Sequence, residues 1–74
     1  MNKLTLFGSP TCVLCQTLKL RLNNEGTEFE YVDVFENPEL AGENGIMSTP
    51  TLLYGEERAV GLGAGNELLD RIKG

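Results

Sequence analysis

The chain holds two cysteines, Cys12 and Cys15, and their placement constrains its fold and chemistry more than any other feature. They follow a short apolar run and precede a helical pattern, so the pair sits where a strand hands over to a helix. At the first turn of a helix, backbone N–H groups and the helix dipole favour the thiolate, the nucleophilic form of cysteine. The second sulfur, three residues on, shares that face and lies close enough to close a disulfide. The chain reads as a dithiol redox protein.

Its 74 residues allow one domain, 1–74, with a small core that must pack efficiently to be stable. The hydrophobic fraction of 41% is that of a globular chain, and no run approaches the length of a membrane span. Met1-Asn2-Lys3 leads straight into strand-like sequence without an apolar leader, so a cytoplasmic product is expected. Two close cysteines in a reducing compartment point to catalysis or metal binding, not to a secreted disulfide framework.

The net charge is -5, and its distribution says more than its sum. Glu25, Glu28, Glu30, Asp33, Glu36, Glu39 and Glu43 follow one another with no Lys or Arg among them. Such a field excludes nucleic acid and an anionic membrane as expected partners, and it disfavours a polyanionic small molecule on that side. Its bland interpretation is a solvated face that keeps the protein soluble.

Lys3 to Phe7 alternates loosely and ends at Gly8-Ser9-Pro10, which predicts a short strand meeting a loop. From Val13 to Asn23, Leu14, Leu18 and Leu22 recur at i+4 and predict a helix, with Gly26 suited to a left-handed cap. Glu28 to Phe35, rich in aromatic and β-branched residues, is the strongest strand candidate. Asn37-Pro38-Glu39 reads as an N-cap, a proline at the first helical position and an acid in the first turn. That helix must be brief, because Gly42 and Gly45 interrupt it. Thr51 to Tyr54 and Glu57 to Val60 form a hairpin about Gly55-Glu56. Gly61, Gly63 and Gly65 then make a flexible turn before Asn66, expected to N-cap a last helix whose apolar face is Leu68, Leu69 and Ile72. The order is β-α-β-α-β-β-α. A right-handed crossover makes the first two strands parallel and the hairpin adds an antiparallel pair, giving an α/β fold with a four-stranded mixed sheet and helices on both faces.

That order, with Cys12-Val13-Leu14-Cys15 after the first strand and Ser48-Thr49-Pro50 before the third, resembles the thioredoxin superfamily. Length and layout look like its glutaredoxin branch, including the small glutaredoxin-like electron donors to ribonucleotide reductase (NrdH-type redoxins). The resemblance covers essentially the whole chain. It implies a thioredoxin-like fold and a thiol–disulfide oxidoreductase, with Cys12 as nucleophile and Cys15 as resolving thiol. A thiolate attacks a substrate disulfide, a mixed disulfide forms, and the second thiol releases the product. Pro10 and the helix start place Cys12 in an exposed loop, which sets it apart from a small buried hydrophobe. A structural zinc takes about four ligands. With no His and two Cys, one chain cannot supply a Cys/His set, so no metal site is expected within it. A dimer holding an iron–sulfur cluster through Cys12 and glutathione stays open as the competing class.

In the family the proline matching Pro50 is cis and lies beside the cysteines. The resemblance thus implies that Thr49 offers its carbonyl and N–H to an incoming peptide as a short antiparallel bridge. Gly61-Leu62-Gly63-Ala64-Gly65-Asn66 resembles the glycine turn and helix start that receive a carboxylate of glutathione in glutaredoxins. Gly63, Gly65 and Asn66 therefore join Thr49 and Pro50 as substrate-binding candidates. Taken alone, the same run is a tight connection that needs positive φ.

Two departures from the family pattern matter. Ser9 stands where many glutaredoxins have a lysine, and Val13-Leu14 replaces the common Pro-Tyr between the cysteines. The resulting expectation is a monomeric donor of electrons to protein disulfides, with ribonucleotide reductase the candidate substrate. Its reductant is expected to be thioredoxin reductase or, alternatively, glutathione. No bound cofactor is expected beyond the Cys12–Cys15 disulfide itself.

Overall fold

The computed structural model describes residues 3–73. Met1 and Asn2, and the expectation that they lead into the first strand, lie outside them. Four strands, β1 (Leu4–Gly8), β2 (Glu30–Asp33), β3 (Thr51–Tyr54) and β4 (Glu57–Val60), form one sheet in the order β2-β1-β3-β4. Three helices, α1 (Val13–Asn24), α2 (Pro38–Glu43) and α3 (Leu62–Lys73), complete the predicted β-α-β-α-β-β-α order. β1 and β2 pair in parallel, as the crossover through α1 requires, and β3 runs antiparallel to both β1 and β4. The hairpin turns on Gly55, whose φ of 61° is open to a residue without Cβ.

Strand alternation divides the core between two faces. Leu4 and Leu6 of β1, Leu52 of β3 and Ala59 of β4 point to one face, where Leu18, Leu22, Leu68 and Leu69 of α1 and α3 close over them. Each fully buried leucine is worth roughly 1.5–3 kcal/mol, so this single layer carries most of the stabilisation a chain this short can collect. Phe7 and its neighbour across the sheet, Val32, point the other way and are also buried. Arg58, paired with Leu53, reaches from that second face to the carbonyls of Asn44 and Gly45 at the end of α2, which places α2 there.

Several local expectations need correcting. β2 is shorter than Glu28–Phe35, because Asp33 Oδ1 accepts from the N–H groups of Phe35 (2.8 Å) and Glu36 (3.4 Å) and turns the chain out of the sheet. In α1 the buried positions are Cys15, Leu18 and Leu22, while Leu14 is exposed: the i+3, i+4 stripe starts at the cysteine. Asn37 precedes Pro38 at the helix start but does not cap it, since its Nδ2 donates back to Asp33 O. The C-terminus of α1 follows expectation, whereas in α2 Gly42 does not interrupt the helix but lies inside it, and the chain turns only at Gly45. Gly26 (φ 68°) and Gly45 (φ 66°) close α1 and α2 with the same pair of bonds, Gly26 to Asn23 with Thr27 to Leu22, and Gly45 to Gly42 with Ile46 to Ala41.

The largest correction concerns α3. It starts at Leu62, not after Asn66, and only Gly61 (φ 95°) is left to connect it to β4. A single-residue link forces that left-handed conformation. Gly65 already donates to Gly61 O (2.9 Å), the first bond of the helix. Gly65 belongs inside it because a methyl there would come within 2.9 Å of Leu18 Cδ1 and 3.3 Å of Leu52 Cδ1. Its bareness lets α3 approach α1 and the sheet. Asn66 caps nothing; its Oδ1 accepts from Arg21 Nη1 at 2.7 Å and joins α3 to α1.

Candidate active site

β1, β2, β3 and β4 bring four chain segments to one end of the sheet. Gly8 pairs with Asp33, and Val34 N–H donates to Gly8 O (2.9 Å). Phe7 pairs with Thr51, so one step further Pro50 stands across from Gly8. Gly61 N–H in turn donates to Pro50 O (2.9 Å). The cysteine loop, the Thr49-Pro50 segment and the start of α3 therefore share an edge, although they are far apart in sequence.

Cys12 occupies the N-cap of α1 with extended backbone, and its Sγ accepts from Cys15 N–H at 3.1 Å. The same N–H would be an unpaired donor of the first helical turn without the sulfur. Cys12 is half-buried, whereas Cys15 is fully buried, and the two are joined in a disulfide with Cα atoms 5.2 Å apart. The loop before them is held by Ser9, whose carbonyl accepts from Cys12 N–H and from Gln16 Nε2, each at 3.2 Å. Ser9 is itself buried, so this position could not hold an exposed cation without a change in the loop. Gln16 did not stand out in the sequence as a member of the site, and Ser9 stood out only as a departure from a lysine. A polar residue three before the cysteine was the only signal.

The Thr49–Pro50 peptide bond is cis, and Thr51 Oγ1 donates to Ser48 O at 2.7 Å across it. Among the described residues the N–H and carbonyl of Thr49 have no hydrogen-bond partner. Of the glycine-turn candidates, Gly63 lies in the first turn of α3, where N–H groups have no intrahelical acceptor. Gly65 N–H and the Asn66 side chain are already engaged. The edge thus includes Cys12, Cys15, Thr49, Pro50 and Gly63, while Gly65 and Asn66 serve packing and helix docking.

Val13 and Leu14, between the two cysteines in the chain, are exposed at 76% and 47%, and Met47, two residues before Thr49, is 96% exposed. Tyr31, on β2, carries Lys19 Nζ 4.4 Å from its ring centre. Burial, and then the neighbouring Asp33 carboxylate, push its phenol pKa up. Among the described residues no group of three or more His, Cys, Asp or Glu side chains could hold a metal ion.

A thioredoxin-like α/β fold with a disulfide at the start of its first helix defines a dithiol redox protein. The glutaredoxin family model matches residues 4–58, and the chain belongs to that family of thiol–disulfide oxidoreductases. A thioredoxin of Methanocaldococcus jannaschii is 35% identical over 96% of this chain and 92% of its own length. The NADPH-dependent thioredoxin reductase 3 of Arabidopsis thaliana is 40% identical over 69% of this chain, which spans 11% of that protein. Among solved structures, the glutaredoxin-like protein NrdH-redoxin from Escherichia coli superposes with a TM-score of 0.78 at 25% identity, covering 93% of this chain and 92% of that one. No helix among the described residues is long and apolar enough to cross a membrane.

Proposed function

We propose that the protein carries two electrons at a time from a cellular reductant to protein disulfides, with Cys12 attacking and Cys15 resolving. The observation that carries this is the asymmetry of the pair: a half-buried sulfur at a helix N-cap, and a fully buried one three residues behind it. Thiolate character at Cys12 is stabilised by the Cys15 N–H and the helix dipole. Attack on a substrate disulfide gives a mixed disulfide at Cys12 and expels one substrate thiolate. Cys15 then attacks Cys12, re-forms the intramolecular disulfide and releases the second substrate thiolate. Thr49 and Pro50 border the site where the substrate strand would lie.

A protein substrate fits the exposed apolar side chains of Val13 and Leu14, between the cysteines, better than a small polar one does. Ribonucleotide reductase is the candidate substrate, supported by the likeness in length and fold to NrdH-redoxin. The favoured reductant is a thioredoxin reductase in the cytoplasm. The thioredoxin-like activity profile named for NrdH-redoxin supports that choice, as does the matching segment within a plant thioredoxin reductase. Glutathione is the second reading, because the first-turn N–H groups of α3 around Gly63 could receive its carboxylate.

The test is reduction of insulin disulfides, followed by capture of substrates on Cys15→Ser and their identification by mass. Wild type should reduce insulin and Cys12→Ser should not. Full activity in Cys12→Ser would overturn the assignment of the nucleophile, and recovery of peroxidases alone would overturn that of the substrate.

A further inference from the structure

The chain has 6 basic and 11 acidic side chains, and all but one of the basic ones are engaged within the fold. Lys3 pairs with Glu30, Arg21 with Glu25 and Asp70, Arg71 with Glu57 and Lys73 with Glu25. Arg58 donates to the carbonyls of Asn44 and Gly45. Lys19 is the exception. Among the described residues no carboxylate or carbonyl takes its ammonium, which lies 4.4 Å from the centre of the Tyr31 ring. That ring is uncharged at pH 7, because burial, and then Asp33, push its phenol pKa up. Asp33 Oδ1 is itself occupied by the N–H groups of Phe35 and Glu36. Helix α1 holds no acid along its length, so Lys19 has no carboxylate one turn away either. On an acidic protein, one half-buried positive charge is left uncompensated.

Its place on the helix relates it to the redox pair. Cys12, Gln16, Lys19 and Asn23 recur at i+4, i+3 and i+4, so one stripe of α1 runs from the half-buried sulfur to this cation. Gln16, Lys19, Leu20 and Asn23 line a shallow groove along it, and Leu20 is 61% exposed. At a rise of about 1.5 Å per residue Lys19 lies about 10 Å along the axis from Cys12, the span of roughly three extended residues. We propose, on the basis of thiol–disulfide exchange at Cys12, that Lys19 is a specificity-determining residue that takes an aspartate or glutamate three residues from the substrate's cysteine. The occupant of the groove is then the disulfide-bearing segment of a protein substrate, with its carboxylate on Lys19 and an apolar neighbour on Leu20. Charge complementarity selects this occupant: a basic segment is repelled here, whereas an acidic one meets the cation that the fold leaves unneutralised. The Tyr31 ring holds the ammonium in place beforehand, so pairing orders little that is not already ordered.

The experiment is a single turnover of the whole chain, reduced beforehand and freed of reductant, with synthetic peptide disulfides. The Cys12 and Cys15 thiols give two electrons and two protons to the peptide disulfide, which leaves as two thiols, and the protein ends with its own disulfide. The peptides carry one Glu, or Gln in its place, three residues before or after the cysteine. With wild type at low salt, the Glu peptide should react about threefold faster than its Gln counterpart in one of the two arrangements, the size of a partly exposed ion pair. That preference should fade in about 1 M salt. Lys19→Arg should keep it, Lys19→Met should abolish it, and Lys19→Glu should reverse it in favour of Gln. A merely structural role would slow both peptides alike and leave their ratio in place. Equal rates for Glu and Gln peptides with wild type would overturn the proposal, and so would a preference that survives in Lys19→Met. If wild type reduced none of the peptides, the redox reading would fall and the proposal with it.

Discussion

The backbone N–H of Cys15 donates to the sulfur of Cys12 at 3.1 Å, so the proposed resolving residue also positions the proposed nucleophile. The donor is main-chain and does not depend on the side chain at position 15. Replacing that side chain therefore leaves the support of Cys12 intact. In the reduced protein, iodoacetamide should label Cys12 about tenfold or more faster than Cys15, because reactivity follows thiolate character and access. Cys15→Ser should retain the fast-labelling Cys12. Peptide mass spectrometry after timed alkylation reads both, and equal labelling of the two cysteines would contradict the assigned roles.

Arg58 ties the loop after α2 to the hairpin, with Nη2 2.5 Å from Asn44 O and Nη1 3.4 Å from Gly45 O. That loop leads through Met47 and Ser48 to Thr49-Pro50, so its anchoring bears on how this proposed docking segment is presented. Arg58→Ala should cost about 0.5–1 kcal/mol, typical of exposed charge-assisted bonds. The expected kinetic effect is a KM for a protein disulfide raised about two- to fivefold at similar kcat, the signature of weakened uniform binding. Reduction of a small disulfide should not change. Steady-state assays on both substrates check it.

The elements and their order were legible because each has a strong local signature: the Leu18/Leu22 stripe, the aromatic run before Asp33, the Gly55 hairpin and Pro38 at a helix start. The cysteine pair was legible for the same reason. What the sequence hid were outcomes of tertiary packing. Gly63 and Gly65 read locally as a turn, since glycine costs about 1 kcal/mol in a helix. Only the proximity of Leu18 and Leu52 shows why a helix passes through them. Asn66 has the chemistry of an N-cap, and Arg21, 45 residues away, claims it instead. Ser9 and Gln16 entered the site through a backbone carbonyl, which no side-chain motif records.

Gly65 offers a direct measure of that packing. Gly65→Ala gains about 1 kcal/mol of helix propensity but loses about 1–3 kcal/mol to crowding against Leu18 Cδ1 at 2.9 Å. Leu18 Cδ1 is the end of a side chain and can yield in part, so a net loss of about 1 kcal/mol is expected. For a domain of this size that lowers the thermal midpoint by about 4–8 °C. An unchanged or raised midpoint would show that α3 has slack at this contact.

The α1–α3 seam has its own pH dependence. Arg21 donates to Glu25 Oε2 (3.0 Å) and to Asp70 Oδ1 (2.6 Å), and Lys73 Nζ lies 3.3 Å from Glu25 Oε1. The hydrogen bond from Arg21, above all, holds the Glu25 carboxyl pKa below its usual value. A lowered folded-state pKa contributes stability that is fully present above the unfolded value, about 4.3. That contribution is lost as pH falls through the folded pKa. Glu25→Gln should therefore be less stable than wild type at pH 7, and the difference should shrink as pH falls below about 4.3 and disappear below the folded pKa of Glu25. Thermal midpoints of both proteins across that range test it, and a difference that persists at low pH would assign the effect to something other than charge.

The choice of reductant turns on charge at the active edge. Glutathione is anionic at pH 7, and this chain carries -5 overall, with Ser9 in the place of a lysine. A missing cation at a partly exposed site forfeits about 1 kcal/mol, roughly fivefold in affinity. The first-turn N–H groups of α3 act in the other direction, but Gly65 N–H and Asn66 are already committed within the fold. What remains for a carboxylate is smaller than the glycine run suggests. NADPH consumption with a protein disulfide should therefore be faster with thioredoxin reductase than with glutathione and glutathione reductase. Introducing the missing cation, Ser9→Lys, should raise the glutathione-linked rate about fivefold if the variant folds around the loss of a buried serine. Efficient turnover in the glutathione system alone would show that the helix start outweighs the charge.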